Sequence, residues 1–167
     1  MKANRNPSEF ISVKGIEYFN FEEDFVEENV RCIPMIVRFK MDAAGIKLKL
    51  NEWSKFLPSE RVQLAVLPIG NVSETDYYHR YLIALIAKYT NHIATKMVVE
   101  AAPDWADLSH IPAILQLKAL EIEVCISLKQ WQKLTDIQRF ALLKLCRPGH
   151  ENKNFSKAML EFGLKQN

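Results

Sequence analysis

Arg147, His150, Glu151 and Asn152 stand together in the run RPGHENKN, the most polar and least periodic stretch in the second half of the chain. An imidazole beside a carboxylate can move protons or ligate a metal ion, and a nearby guanidinium can hold a phosphate. Pro-Gly followed by asparagine is also how one helix stops and the next is capped. The chemical and the architectural readings therefore compete over the same eight residues. Cys32 is the other candidate, a thiol beside apolar helix positions, where inert packing is the usual fate of cysteine.

No further constellation of reactive groups is apparent. His79, His92, His110 and His150 lie apart in sequence, and none forms a His-x-x-x-His or Glu-x-x-His pair with a second ligand, so no metal site is expected. Five glycines in the whole chain supply no phosphate-binding loop. Cys32, Cys125 and Cys146 have no metal-ligand spacing and suit reduced thiols rather than a disulfide framework. SLKQWQKL and DIQRFALLKLC resemble a helix-turn-helix with a basic bias from Lys129, Lys133, Arg139, Lys144, Arg147, Lys153 and Lys157. Phe140, Leu142, Leu143 and Leu145 occupy most of the face that would have to read a groove, which disfavours nucleic acid as a partner. With no catalytic set to assign, the chain reads as non-enzymatic, with no cofactor expected.

The elements that must position these residues follow from composition and periodicity. A chain of 167 residues, 49% apolar and 25% charged, is long enough to bury a core without staples. A net charge of +2 gives no general attraction to nucleic acid or anionic lipid. MKANRNPSEF has no apolar signal-peptide core and no apolar run is long enough to span a bilayer, so a cytoplasmic protein without membrane contact is expected.

Sliding the chain against itself finds an internal repeat at an offset of 78 residues. Ile33-Pro34 recurs as Ile111-Pro112, Trp53 falls on Trp131, Arg61 on Arg139, Leu64 on Leu142 and Leu67 on Leu145. Ile36, Lys40, Leu50 and Lys55 have identical counterparts too, giving ten identities over the 35 positions from 33 to 67 without a gap. Each copy, about 33–70 and 111–148, reads as proline at a helix start, an apolar helix, an extended bridge (IKLKL or VCISL), a helix capped by Asn51 or Ser127 and carrying the tryptophan, and a third apolar helix. The two bridges could pair with each other as a small ribbon. Tryptophan at the same place in both copies is expected in the core, and the two arginines are expected to snorkel or to bond carbonyls that end a neighbouring helix.

Between the copies a long helix is expected over about 74–89, capped by Ser73, with Tyr78, Leu82, Leu85, Ile86 and Tyr89 on one face. Asn20 and Glu23 resemble a capping box, which predicts a short helix over about 21–30 whose acidic residues form a solvated face. Residues 1–18 read as a flexible arm, and a last helix is expected over about 155–164. The sum is an all-α fold: one helical domain over 19–167 with two duplicated three-helix units about a pseudo-twofold axis, and very little strand.

At FEEDF (21–25), RCIPM (31–35), VRFKMD (37–42), GIKL (45–48), QRFALLKL (138–145) and RPGHEN (147–152) the chain resembles the nitrate reductase-associated protein family of cyanobacterial type, from about Phe21 to Phe162. The resemblance implies an accessory or maturation role in nitrate assimilation. Its implied partner is nitrate reductase or the machinery that matures it, and molybdenum cofactor handling is an added possibility because genes of the family lie near those for both. It carries over no catalytic residue. A helical nucleic-acid-binding regulator of nitrogen-assimilation genes is the rival reading, and a small enzyme or cofactor carrier using Cys32 or His150 is a third.

Overall fold

The computed structural model describes residues 7–27, 30–148 and 153–166. It is mostly helical, with 55% of residues in helix and 5% in strand, as an all-α fold requires. Contacts group the chain into two compact units, Met1–Tyr18 with Glu22–Glu100 and Phe19–Phe21 with Ala101–Asn167.

The first unit holds α1 (Met35–Ala44), α2 (Leu50–Trp53), α3 (Pro58–Val66) and α4 (Val72–Thr90). The second holds α5 (Ala113–Leu120), α6 (Leu128–Lys133), α7 (Asp136–Cys146) and α8 (Phe155–Glu161). The starts of α1, α2 and α3 precede those of α5, α6 and α7 by the same interval: 113 − 35, 128 − 50 and 136 − 58 all equal 78.

The helix caps keep this spacing with different residues. Lys49 N–H donates to Glu52 Oε2 at 2.7 Å and Leu57 N–H to Glu60 Oε2 at 2.9 Å. In the second unit Ser127 N–H donates to Gln130 Oε1 at 2.9 Å and Thr135 N–H to Gln138 Oε1 at 3.0 Å. Both pairs satisfy backbone donors that a helix start leaves open. The expected cap Asn51 is displaced to Lys49, which stands 78 positions before Ser127.

Each unit closes on its tryptophan. Trp53 and Trp131 are 2% and 0% exposed, as expected of core residues. Phe10 is buried and stacks on Trp53 at 6.0 Å, so the segment read as an arm contributes a ring to this core. In the second unit Trp131 Nε1–H donates to Asp107 O at 2.9 Å and Gln132 to Leu108 O at 3.0 Å, which straps the segment before α5 onto α6.

Three local expectations are corrected. A 3-10 helix over Asn20–Asp24 and an antiparallel hairpin, β1 (Val26–Glu27) with β2 (Val30–Arg31), replace the helix predicted over 21–30. Of its acids Asp24 is exposed and Glu23 half-buried, while Glu22 is buried and accepts from Met35 N–H at 2.7 Å. That carboxylate caps α1, whose N-cap residue Pro34 has no side chain able to do so, and it lies where the helix dipole favours negative charge.

The bridges do not pair with each other. β3 (Ile46–Lys47) pairs antiparallel with β4 (Thr95–Lys96), Ile46 opposite Lys96. Both strands belong to the first unit, and VCISL forms no strand. α4 is capped by Asn71 rather than Ser73, its side chain accepting from Glu74 N–H at 3.0 Å, so the helix starts two residues earlier than expected. In α5, Ile114 and Leu117 are exposed, while Leu115 and Ala119 face inward.

Candidate functional site

Arg147 is exposed at the C-cap of α7, its N–H donating to Lys144 O at 3.3 Å. His150, Glu151 and Asn152 lie outside the described residues. Asn154 holds the cap position of α8 and is buried, but its side chain makes no capping bond. Gly70, which falls on Pro148 at the 78-residue offset, is not in the left-handed region, and its N–H donates to Glu74 Oε2 at 2.7 Å.

Cys32 is half-buried in the extended segment between β2 and α1, its N–H donating to Phe25 O at 3.1 Å. It belongs to the first unit and Arg147 to the second. Cys146 is buried at the end of α7, and burial pushes its thiol up to about 12, despite an opposing pull from the Lys118 charge. Such a sulfur stays protonated and packs as a small hydrophobe. Cys125 is the exposed cysteine.

The geometry gathers polar clusters that sequence spacing does not single out. Asp107, Ser109 and His110 present acid, hydroxyl and imidazole together on an exposed turn. Ser109 Oγ donates to Asp107 Oδ1 at 2.6 Å and lies 3.4 Å from His110 Nδ1, and the same Nδ1 is 3.1 Å from Asp107 Oδ2. A nucleophilic relay places hydroxyl and acid on opposite ring nitrogens. Here both meet one nitrogen and the hydroxyl proton goes to the acid, so the cluster is a turn. Hydrogen bonds from Ser109 hold the Asp107 carboxyl below its ordinary range.

A second cluster ties residues 7–18 to the hairpin. Ser8 N–H and Tyr18 O–H donate to Glu23, at 3.2 and 2.8 Å, and Arg31 Nη1 lies 3.3 Å from the same carboxylate. Burial alone would raise Glu23; the bonds from Ser8 and Tyr18 and the Arg31 charge outweigh it and leave the carboxyl below its usual range. Burial, with the nearby acids, raises Tyr18.

The buried cations serve helix ends. Lys40 Nζ donates to Ala65 O at 2.5 Å and Leu67 O at 2.6 Å, where α3 stops, and burial pulls its pKa down to about 8. Arg139 donates from Nε to Trp105 O at 2.7 Å and from Nη1 to Leu134 O at 2.5 Å, and it pairs with Asp136. Leu134 is the C-cap of α6, so Arg139 bonds a carbonyl that ends a neighbouring helix, as its symmetric placement suggested. Its counterpart Arg61 has Nε 2.6 Å from Glu9 Oε1, an ion pair without hydrogen-bond alignment. His79 Nδ1–H donates to Ala44 O at 2.7 Å and so also serves a helix end.

From Ile137 to Cys146 every residue of α7 is buried or half-buried, which leaves no exposed polar face for reading a nucleic-acid groove. Among the described residues no group of three or more His, Cys, Asp or Glu could hold a metal ion, and no helix is long and apolar enough to cross a membrane.

The described site thus belongs to a mostly helical protein whose buried charges maintain the fold. The chain belongs to the conserved nitrate reductase-associated protein family, whose model matches residues 18–162. No curated protein and no solved structure matches it.

Proposed function

We propose that this protein is a non-enzymatic accessory or maturation factor for assimilatory nitrate reductase, acting in the cytoplasm through protein–protein contact, with molybdenum cofactor handling within that role. The observation that carries the reading is family membership over 18–162, a family described by association with the reductase. Geometry supports it from the chemical side. Glu22, Lys40 and Arg139 are buried and bonded to helix ends, and Asp107, Ser109 and His110 are arranged as a turn. The regular 78-residue spacing of helix starts and caps supports an internal duplication of a three-helix unit.

Deleting the gene in its host tests the role. Nitrate reductase activity per unit of reductase protein should fall, and unchanged activity at an unchanged reductase level would refute the proposal.

A further inference from the structure

α5 carries an apolar stripe that no described residue of the second unit covers. Ile114, Leu117 and Leu120 are 49%, 66% and 53% exposed and lie three residues apart, on one side of the helix. Leu115 and Ala119 are fully buried on the other side, so α5 is anchored through one face and open on the opposite one. Lys118, the charged residue within α5, is mostly covered and bonded to Glu121 at 2.5 Å, which leaves the stripe itself uncharged.

The first unit gives the corresponding helix a long helical neighbour. α1 begins 78 residues before α5 and packs against α4. Ile36, the counterpart of Ile114, is 4% exposed, and Phe39 and Asp42, the counterparts of Leu117 and Leu120, are half-buried. α4 is an amphipathic helix that buries Tyr78, Leu82, Leu85 and Ile86, the i, i+4, i+7, i+8 spacing of a helix seated in an apolar groove. In the second unit the described helix after α7 is α8, which has seven residues and packs on α7.

The geometry points to α5 as the docking face for an amphipathic helix of the partner, seated on Ile114, Leu117 and Leu120 and giving α5 the helical neighbour that α1 has in α4. The inference rests on the accessory reading and adds the surface and the partner's chemistry to it. Size argues against a second copy of this chain as the occupant. Three half-exposed aliphatic side chains offer a few hundred Å2, the scale on which apolar patches mark interaction sites. An obligate dimer buries about 2,000 Å2 or more.

The test uses the full chain, purified nitrate reductase of the same host in its cofactor-free form, and a photo-crosslinking amino acid at position 117. The expected crosslink joins position 117 to a reductase peptide with apolar residues at helical spacing. Leu117→Glu should weaken reductase binding at least about tenfold, with an unchanged unfolding midpoint because the side chain is exposed. Val72→Glu, at an exposed position of α4, should bind as wild type does. A crosslink only to a second copy, or full binding by Leu117→Glu, overturns the α5 proposal and spares the accessory reading. No binding by the wild-type chain overturns both.

Discussion

The guanidinium carbon of Arg139 lies 5.7 Å from the centroid of the Trp131 ring, and 78 positions earlier Arg61 stands 5.8 Å from Trp53. Within each unit one cation is laid over one buried indole, an attraction that strengthens as water is excluded. The two arginines differ in their other partners. Arg139 is buried and bonds two carbonyls and a carboxylate, whereas the Arg61 side chain is partly open and faces Glu9.

Arg139→Met should therefore cost about 3 kcal/mol, because two carbonyls and Asp136 lose a charged donor. Arg61→Met should cost about 1 kcal/mol, the range of a partly exposed pair with a cation–π contact. Urea unfolding of both variants checks the order. Equal losses would mean that the shared tryptophan contact, and not the carbonyl bonds, sets the energy.

Gly45 and Glu123 stand 78 residues apart and both adopt left-handed backbone, with φ of 68° and 59°. Glycine takes that conformation freely, and a side chain there costs about 1 kcal/mol. Glu123→Gly should raise stability by about that amount. Gly45→Ala should lower it by more, since a Cβ would sit 3.0 Å from Val99 Cγ2 and 3.2 Å from Met97 O. Thermal unfolding of the two variants would show shifts of opposite sign.

Lys40 gives the fold a rising pH dependence on the alkaline side. Its pKa falls from an ordinary 10.5 to about 8 on folding, so between those values the unfolded chain holds more protons than the native one. Stability from this group is therefore complete above about 10.5 and is lost as pH falls through about 8. Wild-type unfolding free energy should gain on that of Lys40→Met from pH 8 to 10, measured by urea titration. Parallel curves would contradict the assignment.

Thiol labelling of the native protein at pH 8 should modify Cys125 first, because it is exposed, and Cys32 more slowly. Cys146, buried and protonated, should react only on unfolding. Mass spectrometry of the labelled peptides separates the three. Native labelling of Cys146 at the rate of Cys125 would show that the end of α7 opens readily.

What the sequence made legible was periodic and local. Trp53 and Trp131 sit in cores, and each copy has its third helix after the tryptophan helix, starting at Pro58 and Asp136. The cap pairs Glu52 with Gln130 and Glu60 with Gln138 escaped notice because they share a role and not an identity. Long-range pairing was not legible. β3 finds β4 across some fifty residues, and Glu22 finds Met35 only once the chain has turned back on itself. Identical residues also part ways: Lys40 is buried on carbonyls, whereas Lys118 bonds Glu121.

The candidate site was legible only in part. Arg147 is exposed and Cys32 half-buried, in different units, and the remaining three residues of that set lie outside the described chain. The α5 stripe was visible only as apolar residues of a helix. Periodicity marks which side chains share a face, and it does not say whether a neighbour covers that face.

The central claim, that the protein acts by binding nitrate reductase or its maturation machinery, is tested most directly by mixing purified protein with purified reductase and following both through size-exclusion chromatography. Co-elution of the two at a volume earlier than either alone is the predicted result. Independent elution of this protein from both the cofactor-free and the cofactor-loaded reductase, and from the proteins that insert the cofactor, would contradict it.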